Sequence, residues 1–352
     1  MSCKITGTGS YIPSVVTKND HFQQHEFLNS DGSLFPGDNE ATIQKFKAIT
    51  GIEERRYIND KLNTSDIAVI AAEDAIKNAG IDKETLDYII VAHNYGDVKA
   101  GCIQSDTVPS LATRVKSKLR IKNPKCVGYD VLFGCPGWIE GMIQANAFIK
   151  AGIAKKCLVI GAEALSRVVD KHDRDSMIFS DGAGATILEA SSEEGGILSH
   201  QTATFSFQEA EYIYFGKSNH SEAPEDVRYI KMNGRKIYEF ALVNVPKAMK
   251  ECLEQSGKNI EEVKKIFIHQ ANKKMDDEII KRFYRQYKMA PPENVMPMTI
   301  QELGNSSVAT VPTLFDLVNK GKIADQHLEK GDIVIFASVG AGMNINAITY
   351  QV

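Results

Sequence analysis

The sequence predicts an α/β protein made of a duplicated unit, each copy a sheet covered by helices. Short apolar runs with β-branched residues alternate with longer stretches of helical period. The same order of helix, glycine, strand and reactive side chain then occurs in both halves. At 352 residues the chain is long enough to bury two cores.

Taken in order, Ile5-Thr6-Gly7-Thr8 opens the first copy, and Gly196-Ile197-Leu198-Ser199 opens the second. Thr64 or Ser65 caps a helix whose apolar positions include Ile67, Ile70, Ala71, Ala75 and Ala79, and Gly80 stops it. Leu86 then leads into the strand Tyr88–Val91. In the second copy the helical stripe Ile237, Phe240, Ala241, Val245, Ala248, Met249, Cys252 and Leu253 stops at Gly257, ahead of the strand Ile266–Ile268. Twelve positions separate Gly80 from Ala92 and Gly257 from His269, so His269 is expected where Ala92 stands. The strand Cys126–Leu132, the pair Gly134-Cys135, a helix to Gly152 and the strand Leu158–Ile160 form a second unit. Gly304-Asn305, a helix to Gly321 and the strand Ile333–Phe336 repeat it, which makes Cys135 and Asn305 equivalent. The expected halves are 1–192 and 193–352, joined near Ala190–Gly195. The irregular stretches His25–Asn39 and Asn94–Val108 are candidate walls of a substrate site or an interface.

Composition narrows the function. Apolar residues make up 43% and charged residues 24%, with a net charge of -4 and a pI near 6.1. A slightly acidic chain without Lys/Arg blocks is not built to bind nucleic acid, whose affinity rests on neutralising phosphates. No apolar run reaches the length of a membrane span, and the N-terminus has no signal-like apolar region. A cytoplasmic location is expected. The six cysteines show no metal spacing and no disulfide pattern.

Three residues stand out chemically. Cys135 falls at a strand-to-helix turn before Pro136-Gly137, where unpaired helix N–H groups favour a thiolate. His269 ends an apolar strand, and Asn305 follows Gly304 before a helix. Open α/β sheets place their sites at such carboxyl ends. Taken singly, each has an ordinary use as a core thiol, a hydrogen-bonding imidazole or a helix cap. Their matching positions in a duplicated frame favour one shared site.

The segments TGTGSYIP, TGIEERR, GCPGW, SDGAGA, HQAN and GNSSVATVP occur in this order between Cys3 and Tyr350. Together they resemble the β-ketoacyl-ACP synthase III family of the thiolase-like superfamily. The resemblance implies a duplicated α-β-α-β-α five-layer sandwich, a homodimer, and no cofactor or metal. It makes Cys135 the acylated nucleophile, and His269 with Asn305 the pair supporting decarboxylation. The backbone N–H groups of Cys135 and Ala341 become the oxyanion hole; Ala341 replaces a usual Gly, which a negative φ there permits. The implied reaction moves an acyl group from CoA or acyl carrier protein to Cys135. Decarboxylative Claisen condensation with malonyl-ACP follows, giving a β-ketoacyl product and CO2 in fatty acid, polyketide or secondary lipid biosynthesis. Two rival readings are an acyltransferase serving a non-malonyl nucleophile and a non-catalytic partner subunit.

The chain also departs from the family pattern. Lys45 and Ile49 stand where an aromatic and an arginine usually hold adenine, whereas Arg174 matches the arginine near the nucleotide. Phe133 and Trp138, flanking Cys135, are expected to shape the acyl pocket. Lys273, Lys274 and Arg282, with Lys281 and Arg285, form a basic cluster expected to dock an acidic carrier protein. The Asn94–Val108 loop is longer than expected, which suggests a different acyl preference.

Overall fold

The computed structural model describes residues 2–352. Strand β1 (Ser2–Tyr11) is followed by a small ribbon of β2 (Val15–Lys18) and β3 (Glu54–Tyr57), with helix α1 (Asn39–Thr50) between them. Next come α2 (Thr64–Ala79), β4 (Tyr88–Ala92), α3 (Leu111–Lys118) and β5 (Val127–Val131), then α4 (Gly137–Lys150), β6 (Lys156–Ala164) and β7 (Asp181–Ser191). The remainder comprises β8 (Gly196–Thr204), β9 (Ile213–Gly216), β10 (Tyr229–Met232), α5 (Gly234–Gln255), β11 (Val263–Ile268) and α6 (Lys273–Arg285). It ends with α7 (Ile300–Leu303), α8 (Thr310–Asn319), β12 (Ile333–Gly340) and β13 (Asn344–Gln351).

Two sheets result. One has the order β1-β7-β6-β4-β5, with β4 parallel to β5 and β6; the other has the order β11-β12-β13-β8, with β11 parallel to β12. The period of two along each strand sorts its side chains between layers. Ile90 of β4, Val159 of β6, Phe267 of β11 and Phe336 of β12 pack in one core with α4 and α8, which lie between the sheets. Ile89, Val91, Leu158 and Ile160 turn the other way, against α2 and α3. Ile333, Ile335, Ile266 and Ile268 do the same against α5 and α6. The architecture is therefore helices, sheet, helices, sheet, helices: the five layers of the thiolase-like fold. Among the described residues no helix is long and apolar enough to cross a membrane.

Two local details differ from the sequence expectation. Helix α2 is capped by Asn63, one residue earlier than expected, because Asp66 reaches back to accept the Asn63 N–H at 2.8 Å. Strands β4 and β11 are each followed at once by a histidine, so the counterpart of His269 is His93 rather than Ala92. Counting from the helix-stopping glycines was one residue out because the links from those glycines to the strands differ.

Candidate active site

Each reactive residue is placed by the end of a core element. Gly134, at φ +66, turns the chain from β5 towards α4. A Cβ on Gly134 would lie 2.6 Å from Ala341 N, and one on Gly340 would lie 2.3 Å from Cys135 N. The two turns are thus pressed together, and Cys135 and Ala341 line one cavity. Ala341 is not among the residues with positive φ, so its methyl group costs no backbone strain. Asn305 is held through its backbone: its N–H donates to Ile178 O at 3.0 Å, and its carbonyl accepts from Ser180 N–H at 2.8 Å. Its side-chain Oδ1 accepts the Ser307 N–H at 2.8 Å, which leaves the amide NH2 for the cavity.

His269 follows β11 and is buried, with Nδ1 2.7 Å from Thr310 Oγ1. The same hydroxyl donates to Ser307 O at 2.9 Å, the carbonyl that also accepts the Thr310 N–H. With its hydrogen so used, the hydroxyl accepts from Nδ1–H, which leaves the lone pair of the neutral ring on Nε2. Burial pushes the His269 imidazole down to about 4, so it is neutral at physiological pH. Ser307, in the left-handed region at φ +52, donates its hydroxyl to Cys135 Sγ at 3.2 Å.

The helix-terminus argument for a thiolate does not prevail. Burial pushes the Cys135 thiol up to about 11, and the Ser307 hydrogen bond offsets only part of this. Cys135 precedes the N-cap Pro136 and so lies just outside the first turn of α4, where the favourable end of the helix loses to desolvation.

Cys135, His269 and Asn305 all face one cavity of about 270 Å³, walled by apolar groups such as Phe215, Ile230, Met232 and Met275. Residues 129–205 match the family described as 3-oxoacyl-[acyl-carrier-protein (ACP)] synthase III, and residues 253–352 match its C-terminal domain. The chain is 33% identical over 347 residues to β-ketoacyl-[acyl-carrier-protein] synthase III 1 of Vibrio vulnificus, covering 97% of each chain. It is 33% identical over 352 residues to the synthase III of Clostridium perfringens, covering 98% of each. The chain belongs to the 3-oxoacyl-[acyl-carrier-protein] synthase III family. It is a β-ketoacyl-ACP synthase III-like condensing enzyme, an acyl-transferring enzyme of fatty acid biosynthesis. Among solved structures, the synthase III of Aquifex aeolicus superposes with a TM-score of 0.79 at 29% identity, covering 99% of this chain and 100% of that one. The priming β-ketosynthase of the R1128 polyketide pathway shares the fold, with a TM-score of 0.84 at 21% identity, covering 100% of this chain and 96% of that one.

Other residues singled out in this synthase III chain fall elsewhere. Trp138 does not line the cavity: it is 1% exposed and stands edge-on to Phe336 in the central core. Its position on α4 turns it between the sheets. Phe133 packs against the same core rather than the cavity. Arg174 lines a larger outer cavity of about 820 Å³, where its guanidinium lies 4.6 Å from the Phe35 ring centre. Lys45 and Ile49 line this outer cavity too, and Tyr214 and Met232 border both cavities. On α6, Lys273 pairs with Asp277 at 2.8 Å and Arg282 with Glu278 at 2.9 Å. Lys274 is exposed, so these three cations are not equally available.

Sequence reasoning missed Glu163. It is 1% exposed, at the end of β6, and its Oε2 accepts both the N–H and the side-chain NH2 of Asn94, at 2.9 and 2.6 Å. Asn94 in turn donates to Ser307 Oγ at 3.1 Å, which links the carboxyl to the Cys135 surroundings. Burial pushes the Glu163 carboxyl up to about 7, against the lowering influence of His93 and Asn94. Above the ordinary carboxylate range the unfolded chain has lost this proton while the native protein keeps it. The resulting stabilisation fades as pH rises through about 7. Glu163→Gln removes that ionisation, so its melting temperature relative to the unaltered protein should be higher at pH 8 than at pH 5, by a few degrees. A difference that stays flat across pH would contradict this role of burial.

Proposed function

We propose that Cys135 accepts an acyl group from a thioester donor and that His269 and Asn305 then drive decarboxylation of a malonyl thioester. Convergence of the three side chains on one apolar cavity carries this reading. In the first half-reaction the donor thioester is exchanged for a Cys135 thioester, a step with little net free-energy change. A thiol raised to about 11 must give up its proton as it attacks, and neutral His269 is the nearby group able to take it. The departing CoA or carrier thiolate takes that proton back. Reprotonation of the leaving group therefore balances the step.

In the second half-reaction CO2 leaves and negative charge gathers on the thioester oxygen. The Asn305 NH2 group donates to that charge, and His269 joins it in the neutral tautomer that carries the ring proton on Nε2, with the Thr310 hydroxyl turned from Ser307 O to Nδ1. The carbanion attacks acyl-Cys135, and the tetrahedral oxyanion is received by the N–H groups of Cys135 and Ala341. The product is a β-ketoacyl thioester.

The partners follow from this chemistry: an acyl-CoA or acyl carrier protein donor, malonyl-ACP, and acyl carrier protein docking through exposed cations such as Lys274. Arg174, which lines the outer cavity, is assigned to the donor's nucleotide or phosphopantetheine phosphate. A homodimer is favoured by the unpaired edge of β5 and by exposed apolar side chains at Leu132, Val108 and Phe207, which are 67%, 85% and 94% exposed. We infer that the chain divides into halves 1–192 and 193–352, with the nucleophile in one and the decarboxylation pair in the other.

The test is intact-protein mass spectrometry with a panel of acyl-CoA and acyl-carrier thioesters, followed by malonyl-ACP. Acyl mass on Cys135, discharged with CO2 release, is the expected result. Acylation without malonyl-dependent discharge would favour a non-malonyl nucleophile instead.

A further inference from the structure

Away from the reactive cavity, one corner of the molecule gathers His21, His25, His172 and His220, four of the eight histidines in the chain. His172 and His220 stack with ring centres 4.5 Å apart. Glu26 Oε2 lies 3.7 Å from His172 Nδ1 and 3.7 Å from His220 Nε2. These two imidazoles are the only ion-pair partners of Glu26 among the described residues. The three ligand atoms lie within 4.8 Å of one another, drawn from three separate segments of chain.

We propose that Glu26, His172 and His220 bind a divalent transition-metal ion, Zn2+ being the best fit, and that the ion clamps the outer wall of the larger cavity. Two imidazole nitrogens and one carboxylate are a donor set that suits zinc and its late first-row neighbours rather than calcium or magnesium. At ordinary zinc–ligand lengths the donor atoms would stand roughly 3.3 to 3.5 Å apart. The carboxylate-to-imidazole distances need contract only slightly from the 3.7 Å seen, and the two imidazole nitrogens close from within 4.8 Å. The partial exposure of Glu26 and His220, 54% and 30%, leaves room for water to complete the coordination.

The histidine-bearing loops are held in place by a buried hub. Asp170, 2% exposed, accepts the His172 N–H at 3.1 Å, the Ser218 hydroxyl at 3.0 Å and the Asn219 N–H at 2.7 Å, and pairs with Lys231 at 2.7 Å. The Glu26 segment is tied to both loops through Leu28, whose N–H donates to His172 O at 2.9 Å and whose carbonyl accepts from Asn219 at 2.8 Å. Such support orients ligands before the metal arrives.

Without metal, His172 Nδ1–H donates to Glu26 O at 3.0 Å, and His220 Nδ1 accepts the Glu222 N–H at 3.2 Å. Metal binding moves the ring proton to the other nitrogen in each imidazole. Both bonds yield, since the metal takes the place of the proton on His172 Nδ1 and a proton moved to His220 Nδ1 meets the Glu222 N–H. No net proton need be released. The consequence for function is positional: Glu26 leads into the segment carrying Phe35, and His172 stands two residues before Arg174, so the ion would fix the loops that bring those two side chains together.

The experiment uses the full-length protein with Cys135 and Cys102 alkylated, so that neither thiol competes. ZnCl2 is titrated by calorimetry, CoCl2 by visible absorption, and the 27–35 and 169–174 segments are followed by hydrogen exchange. One equivalent should bind, the cobalt spectrum should show nitrogen and oxygen ligands without a thiolate charge-transfer band, and both segments should gain protection. His172→Ala and His220→Ala should each weaken binding by more than about tenfold, and Glu26→Gln should weaken it too. Normal acyl loading of the same variants, not alkylated and without metal, shows that they are folded. Absence of uptake by the unaltered chain, or undiminished uptake by the His172→Ala/His220→Ala double variant, overturns the site. Uptake without protection of the two segments overturns the clamp.

Discussion

Cys135→Ala is expected to give a folded protein that takes up no acyl group from any thioester, with condensation falling by about four orders of magnitude or more, the scale for losing a catalytic nucleophile. No other group in the cavity can replace Sγ: the nearest hydroxyl, Ser307, donates its hydrogen to that sulfur rather than being activated by a base. The substitution removes one atom from a cavity wall and breaks no backbone bond, so stability should change little. His269, Asn305 and Ala341 are untouched, and Cys135→Ala should therefore still release CO2 from malonyl-ACP. Mass spectrometry for acylation and a CO2 assay for decarboxylation separate the two. Loss of both activities together, in a protein with an unchanged melting temperature, would contradict the division of labour.

Asn305→Ala should do the reverse. Acylation of Cys135 should survive, whereas decarboxylation falls by about two to three orders of magnitude, the usual cost of one oxyanion donor. The substitution also removes the acceptor for the Ser307 N–H, so the Ser307 hydroxyl beside Cys135 loses some of its positioning and acylation is reduced in part. His269→Ala is expected to show the same selective loss of decarboxylation, with acyl transfer partly intact. Single-turnover measurement of each half-reaction checks both variants. Equal loss of the two half-reactions in either would remove that residue from the proposed role.

The layered fold was legible because its signals are local and repeated. The alternation in β4, β6 and β12 and the glycine stops after α2 and α5 are set by burial and by backbone conformation, both of which leave marks in sequence. Cys135, His269 and Asn305 were legible for a related reason: each ends a core element in a matching frame, and the motifs around them resemble one family. Glu163, Ser307 and Thr310 were not. Their importance comes from contacts between distant positions, Asn94 with Glu163 across 69, Cys135 with Ser307 across 172 and His269 with Thr310 across 41, and no periodicity encodes those. Trp138 misled because adjacency to Cys135 in sequence says nothing about which face of α4 it occupies. The thiolate expectation failed for a similar reason, since desolvation depends on walls supplied by β9, β10 and α6.

The single-residue parallel bridge between Phe179 and Asn305 has a further consequence. It is a seam: the amide donor is fastened to the sheet that also leads to the nucleophile by two backbone hydrogen bonds, while His269 arrives on the opposite sheet. Registration between the sheets, and not the integrity of either one, then sets how well the donor pair is aligned. Mild heating or chaotrope that loosens the seam without melting the sheets would uncouple the reaction, giving an enzyme that still loads acyl groups and no longer extends them.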